Sequence, residues 1–240
     1  MPAPLAVRAT VACHLPRALR TLPLLRLIAT PLLALLTGCI SYTVGQGAET
    51  APMGARVSSS SLNVVPGILD DSQPTRRPSV DNEIRYGIDD RTDIGFRLAT
   101  WSGVMVTWKH QLTRADTSAK VENRARTSIM LGGGILNMGE HAAVEATFIR
   151  SGRWTKQGQL YGAIRATQVI PITRTARTDD PVIGVSLGYL IGDREFSIGP
   201  ELGVYYDRSV LGLNSSRILV IPSVVVRASG LRGLRGLLPF

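Results

Sequence analysis

From about residue 55 onward, apolar and polar residues alternate in short runs separated by Asp, Gly, Pro and Asn clusters. The clearest pair is Asn82–Ile88 and Ile94–Thr100. In the first, Ile84, Tyr86 and Ile88 share one face and Glu83, Arg85 and Gly87 the other; in the second, Ile94, Phe96 and Leu98 oppose Gly95 and Arg97. A period of two is the signature of a strand, and the Asp89-Asp90-Arg91-Thr92-Asp93 link reads as a hairpin turn. Gly103–Leu112 continues the pattern, with Val104, Val106 and Trp108 against Met105, Thr107 and Lys109. Further candidates are 126–136, 142–150, 159–170, 182–191, 196–207 and 217–228, with a weaker segment at 55–65. Strands this frequent, with no helical period between them, predict an all-β fold: an antiparallel up-and-down β-barrel of about 8–10 strands over 55–229. Closure removes the edges that an open sheet would expose. Glycines inside the strands, among them Gly132-Gly133-Gly134, Gly184, Gly188 and Gly203, suit the corners of a curved sheet.

The polar faces carry Glu83, Arg85, Arg97, Lys109, Glu145, Arg165 and Glu201. In a membrane barrel these residues line the lumen and pair there while the apolar face meets lipid. In a soluble barrel the faces are exchanged, so periodicity alone fits both. Three features favour the membrane. Val182–Ile191 and Ile218–Val226 are apolar on nearly both faces; Trp101, Trp154, Tyr161, Tyr189, Phe196 and Tyr205 lie near segment ends, as interfacial girdles do; and an even strand count returns both chain ends to one side. Three oppose it. Several segments span only seven to nine residues where about 9–11 are needed, the 113–125 loop falls where turns should be short, and the 230–240 tail lacks an alternating last strand. Two functions follow: a structural or passively pore-like membrane barrel, or a lipocalin-like soluble barrel holding an apolar ligand in its mouth.

The first 38 residues have a different character. Arg8, Arg17, Arg20 and Arg26 precede an apolar run, Leu27–Leu36, that is interrupted by Pro31 and too short to span a bilayer. Leu36-Thr37-Gly38-Cys39 follows, and it resembles the lipobox of bacterial lipoproteins. That resemblance implies a signal peptide (1–38) cut between Gly38 and Cys39, a lipid on the Cys39 thiol, and a membrane partner in the lipid itself. Ile40, rather than Asp, after the cysteine implies sorting to the outer membrane, with the N-terminus facing the periplasm. Residues 39–54, small and polar with Gly and Pro, read as a tether. Cys13 and Cys39 are the two cysteines, so a cut chain has no disulfide and no cysteine metal site.

The formal charge of +9 falls to about +5 without the four signal arginines. That excess is spread rather than striped, which suits anionic envelope lipids or glycans and not nucleic acid. Over 82–228 the chain looks like the small outer-membrane β-barrel proteins, through Arg85–Phe96 (RYGIDDRTDIGF) and Gly199–Tyr205 (GPELGVY). The resemblance implies a fold and a location without a substrate. Some small barrels are lipid A deacylases with a His-x-Ser pattern, yet Gln111-Leu112 follows His110 and Ala142-Ala143 follows His141. No catalytic residue, metal or cofactor is therefore expected. The acid clusters Asp70-Asp71, Asp89-Asp90-Asp93 and Asp179-Asp180 read as turn residues. Gly132-Gly133-Gly134 reads as strand rather than phosphate loop. The 230–240 tail, with Arg232 and Arg235 among leucines, reads as an unstructured or strand-capping end.

Overall fold

A computed structural model describes residues 41–70, 73–99, 103–113, 125–136, 139–155, 157–172, 181–193, 195–206 and 218–229, with backbone alone for 66–70, 73–77, 154 and 155. The described residues belong to one compact unit. Cys39, the signal segment and the 230–240 tail lie outside the described residues, as do Trp101 and most of the 113–125 loop.

Ten strands follow one another: β1 (Arg56–Asp70), β2 (Gln73–Gly87), β3 (Thr92–Ala99), β4 (Gly103–Gln111), β5 (Arg126–Leu136), β6 (His141–Thr155), β7 (Gly158–Pro171), β8 (Val182–Gly192), β9 (Phe196–Tyr206) and β10 (Ile218–Ser229). Each pairs antiparallel with its neighbours in sequence, and β1 pairs with β10 to close the barrel. The register fixes the stagger. A pairing path leaves β7 at Gly158, passes Ile191, Ile198, Val226, Ser60, Asn82, Leu98, Val104, Ile135 and Ala142, and returns to β7 at Ile170, twelve residues further on. A sheet closes only with such a shear, which obliges the strands to tilt.

The sequence places the strand centres well and underestimates their length. β1 and β2 each run 15 residues, against segments of 55–65 and 82–88 in the alternation. Pro74 and Pro78 and the absence of a period hide the start of β2, whose hydrogen bonds come from β1. Most strands now have 11–15 residues, enough to cross hydrocarbon when tilted, although β3 has 8 and β4 has 9.

The faces decide between the two architectures. Outward positions on β3 are Ile94, Phe96 and Leu98, on β4 Val104, Val106 and Trp108, and on β8 Ile183, Val185 and Leu187, all exposed. Inward positions include Glu83, Arg85, Arg97 and Lys109, all buried. A soluble barrel would need the reverse, because an apolar side chain left in water forgoes about 1.5–3 kcal/mol of burial. The lipocalin-like reading is overturned by this inversion, and the fold is that of a transmembrane β-barrel.

Parity also corrects two girdle residues. Tyr161 alternates with Ala163 and Arg165, and Tyr205 with Gly203 and Glu201, so both point inward and are buried. Their rings lie against wall glycines. A Cβ on Gly184 would meet the Tyr205 ring at 2.1 Å, and one on Gly188 the Tyr161 ring at 2.2 Å. Glycine thus makes room for an aromatic within a narrow barrel.

The remaining difference concerns residues 39–54. Their composition suggests a tether outside the barrel, whereas Ser41, Tyr42, Thr43, Val44, Gln46, Ala48 and Ala51 are buried in the lumen. A small polar segment fits there because the lumen supplies the hydrogen-bonding groups that water would otherwise provide.

Candidate functional site

Among the described residues, chemistry-bearing side chains converge in the lumen. All seven predicted lumen residues, Glu83, Arg85, Arg97, Lys109, Glu145, Arg165 and Glu201, face inward and are buried. Asp81 and Asp93 join them, so four cations meet five acids. Both acids were legible by parity, because Asp81 continues the Glu83–Arg85 series and Asp93 continues Gly95–Arg97. Reading Asp93 as a turn residue missed it.

One network runs across the wall. Arg97 donates from Nη1 to Glu145 Oε1 at 2.8 Å and from Nη2 to Glu83 Oε2 at 3.2 Å. Arg85 contacts Glu83 and donates from Nε to Asp93 Oδ1 at 2.8 Å, while Thr107 Oγ1 donates to Glu83 Oε1 at 3.1 Å. A buried charge without such partners would cost several kcal/mol, which explains why the groups come as a set.

The same groups grip the N-terminal segment. Asp81 Oδ2 accepts from Ser41 Oγ and Thr43 Oγ1, both at 2.9 Å. Arg165 Nη1 donates to the carbonyls of Ser41 and Thr43, both at 2.9 Å. Glu201 accepts the backbone N–H groups of Val44 (2.7 Å) and Gly45 (2.8 Å) and the Tyr161 hydroxyl (2.5 Å). Gly45 has φ +65°, the left-handed conformation that turns two successive N–H groups toward one anion. Lys109 Nζ donates to Gln46 Oε1 at 2.8 Å and to the Glu49 carbonyl at 2.7 Å. Ser151 Oγ accepts from Ala48 N at 2.9 Å, and Asp93 Oδ2 from Ala51 N at 2.7 Å.

These partners give the segment a direction. Asp81 and Arg165 sit near the middle of β2 and β7, while Asp93 lies beside the start of β3 and Gly54 N bonds Gly87 O at the end of β2. The chain therefore descends from mid-lumen at Ser41 to the end where β1 begins and β10 ends, here the near end. At that end Glu49, Arg153, Gln159, Asp193, Glu195 and Arg227 line a cavity of about 720 Å³.

The other candidates are placed outside this constellation. His110 stacks on Trp108 with ring centroids 5.6 Å apart and shares a 2.9 Å hydrogen bond with Thr92 Oγ1. His141 opens β6 and is half-buried. Asp89 and Asp193 act as turn residues: Asp89 Oδ1 accepts from Arg91 N at 2.7 Å, and Asp193 Oδ1 from Glu195 N and Phe196 N at 2.8 Å. These backbone bonds hold both carboxyls below the usual aspartate range. Gly132-Gly133-Gly134 is regular strand within β5. Among the described residues no cluster of three or more His, Cys, Asp and Glu could hold a metal.

Fold and lumen together define a class: a transmembrane β-barrel plugged by its own N-terminal segment. No protein family matches the chain, and no curated protein resembles it in sequence. Solved structures with a similar fold include an outer membrane channel from Pseudomonas putida F1, 11% identical, covering 76% of this chain and 98% of that one with a TM-score of 0.46. The translocator domain of autotransporter NalP from Neisseria meningitidis is 10% identical over 87% of this chain and 96% of its own, with a TM-score of 0.36. A de novo designed transmembrane β-barrel is 11% identical over 76% and 99%, with a TM-score of 0.34.

Proposed function

We propose that this protein is a lipid-anchored barrel of the bacterial outer membrane that is closed at rest, with a structural role in the envelope rather than that of an open pore. The observation that carries the reading is the plug. Asp81, Asp93, Lys109, Arg165 and Glu201 spend hydrogen bonds on residues 41–51, so the charges that would line an aqueous channel are satisfied by the chain itself. The apolar outer face supports membrane residence, and the Leu36-Thr37-Gly38-Cys39 lipobox supports export, cleavage after Gly38 and a thioether-linked lipid on Cys39. The moderate positive charge suits contact with anionic envelope lipids or glycans. The barrel acts without enzymatic activity or cofactor in this reading, consistent with His110 being occupied by Trp108 and Thr92.

Conductance in planar bilayers tests it. The purified mature chain should give little or no steady current, and a variant lacking residues 41–52 should give discrete open-channel steps at least about tenfold larger. A wild-type chain that conducts as freely as the deletion variant would sink the closed-barrel reading.

A further inference from the structure

The outer wall carries a polar pair at a depth where the bilayer holds no water. The pairing path that closes the barrel climbs from Gly158 at the near end to Ile170 at the opposite end, through outward positions of every strand. Ser60 and Asn82 are the fifth and sixth of its eleven positions, so they stand at mid-height, and both are exposed. Every other side chain on the path is aliphatic. Ser60 Oγ donates to Asn82 Oδ1 at 2.7 Å. That bond uses the amide oxygen and leaves both Asn82 Nδ2–H groups without an acceptor among the described residues. Hydrocarbon supplies none, and polar groups facing it are costly.

A second copy of the chain supplies what the lipid cannot. Inserted the same way round, it presents its own Asn82 and Ser60 at the same depth, so a twofold axis along the membrane normal sets amide against amide. A primary amide is complementary to itself: each Nδ2–H donates to the other copy's Oδ1, which has a second lone pair to offer, and Ser60 Oγ accepts the remaining N–H. A barrel of different sequence would need a matching polar group at this height, whereas a copy has one by symmetry. We propose that this protein forms a parallel dimer in the membrane through the outer face of β1 and β2, joined at its centre by Asn82 and Ser60 of each copy. The outward neighbours Val80, Ile84, Leu98 and Val226 pack around that centre and exclude lipid from it. The contact uses the outer wall alone and is independent of the plug and of lipidation.

Photo-cross-linking of the full-length protein in intact cells tests the dimer. A benzophenone amino acid placed at Val80, outward and next to Asn82 along β2, should give a covalent species of twice the chain's mass. The same probe at Ile164, outward at mid-strand on β7 across the barrel, should give little of it. Asn82→Leu suits a lipid-facing position, so the barrel should keep its heat-modifiable migration while the Val80 dimer yield falls by about tenfold. Equal dimer yields from the two probe positions would overturn the proposal, and that contrast stands whether or not the leucine variant folds. Adducts at Val80 confined to lipid or to a different protein would overturn it as well, as would a dimer undiminished in folded Asn82→Leu.

Discussion

At the residue scale, Gly45 shows how a small polar segment is held inside a barrel. Its φ of +65° lets consecutive N–H groups share the Glu201 carboxylate, and an L side chain there costs about 1–2 kcal/mol. A Cβ at Gly45 finds its nearest neighbours at 3.8 and 3.9 Å, so strain rather than collision is the penalty. Gly45→Val should therefore loosen the plug and leave the wall intact: faster protease cleavage within 41–52 at unchanged barrel migration on a gel. Unchanged cleavage would argue against the nest. Glu201 was legible as a lumen charge, because parity shows which way a side chain points. Its partner was not, since nothing in Val44-Gly45 announces that a carboxylate on β9, more than 150 positions away, will claim those amides.

At the scale of elements, alternation carried most of the fold. The runs at 126–136 and 182–191 reappear as β5 and β8 almost unchanged, because turn residues bound both runs and their outward positions stay apolar even where Met130, Leu136, Val182 and Leu190 point inward. β2 outran its signal because Pro74 and Pro78 break the pattern but not the pairing with β1. The orientation of the faces could not be read from period alone; an inward Arg97 that is 2% exposed, set against an outward Leu187 that is 59% exposed, settles it. That inversion makes a quantitative expectation. Leu187 lies mid-strand on β8, so Leu187→Arg places a charge near the bilayer midplane and should destabilise the folded barrel by about 2–4 kcal/mol. A denaturant titration in lipid vesicles would show it as a lower unfolding midpoint, and an effect under about 0.5 kcal/mol would contradict a lipid-facing position.

At the scale of the molecule, ten strands closed by the β1–β10 pairing leave no edge, so unfolding requires every ladder to be lost against a hydrocarbon that offers no substitute partners. The protein should accordingly run faster in detergent gels before boiling than after. Equal migration in both conditions would mean that the closed barrel does not survive extraction. The segment before β1 was the least legible part of the whole: a tether and a plug have the same composition, and only the enclosing wall tells them apart.

The seam between β1 and β10 also carries a consequence for order in time. Val57 pairs with Ser229, residues from the first and last strands, so this ladder is the one with the longest loop to close. Gly45 lies beside Val225 and Ser59, on the two strands of that seam. Whatever folds this protein must therefore hold the N-terminal segment against an unfinished wall and close the last pair of strands around it. Assembly in which the wall closes first would leave the plug waiting outside a filled doorway.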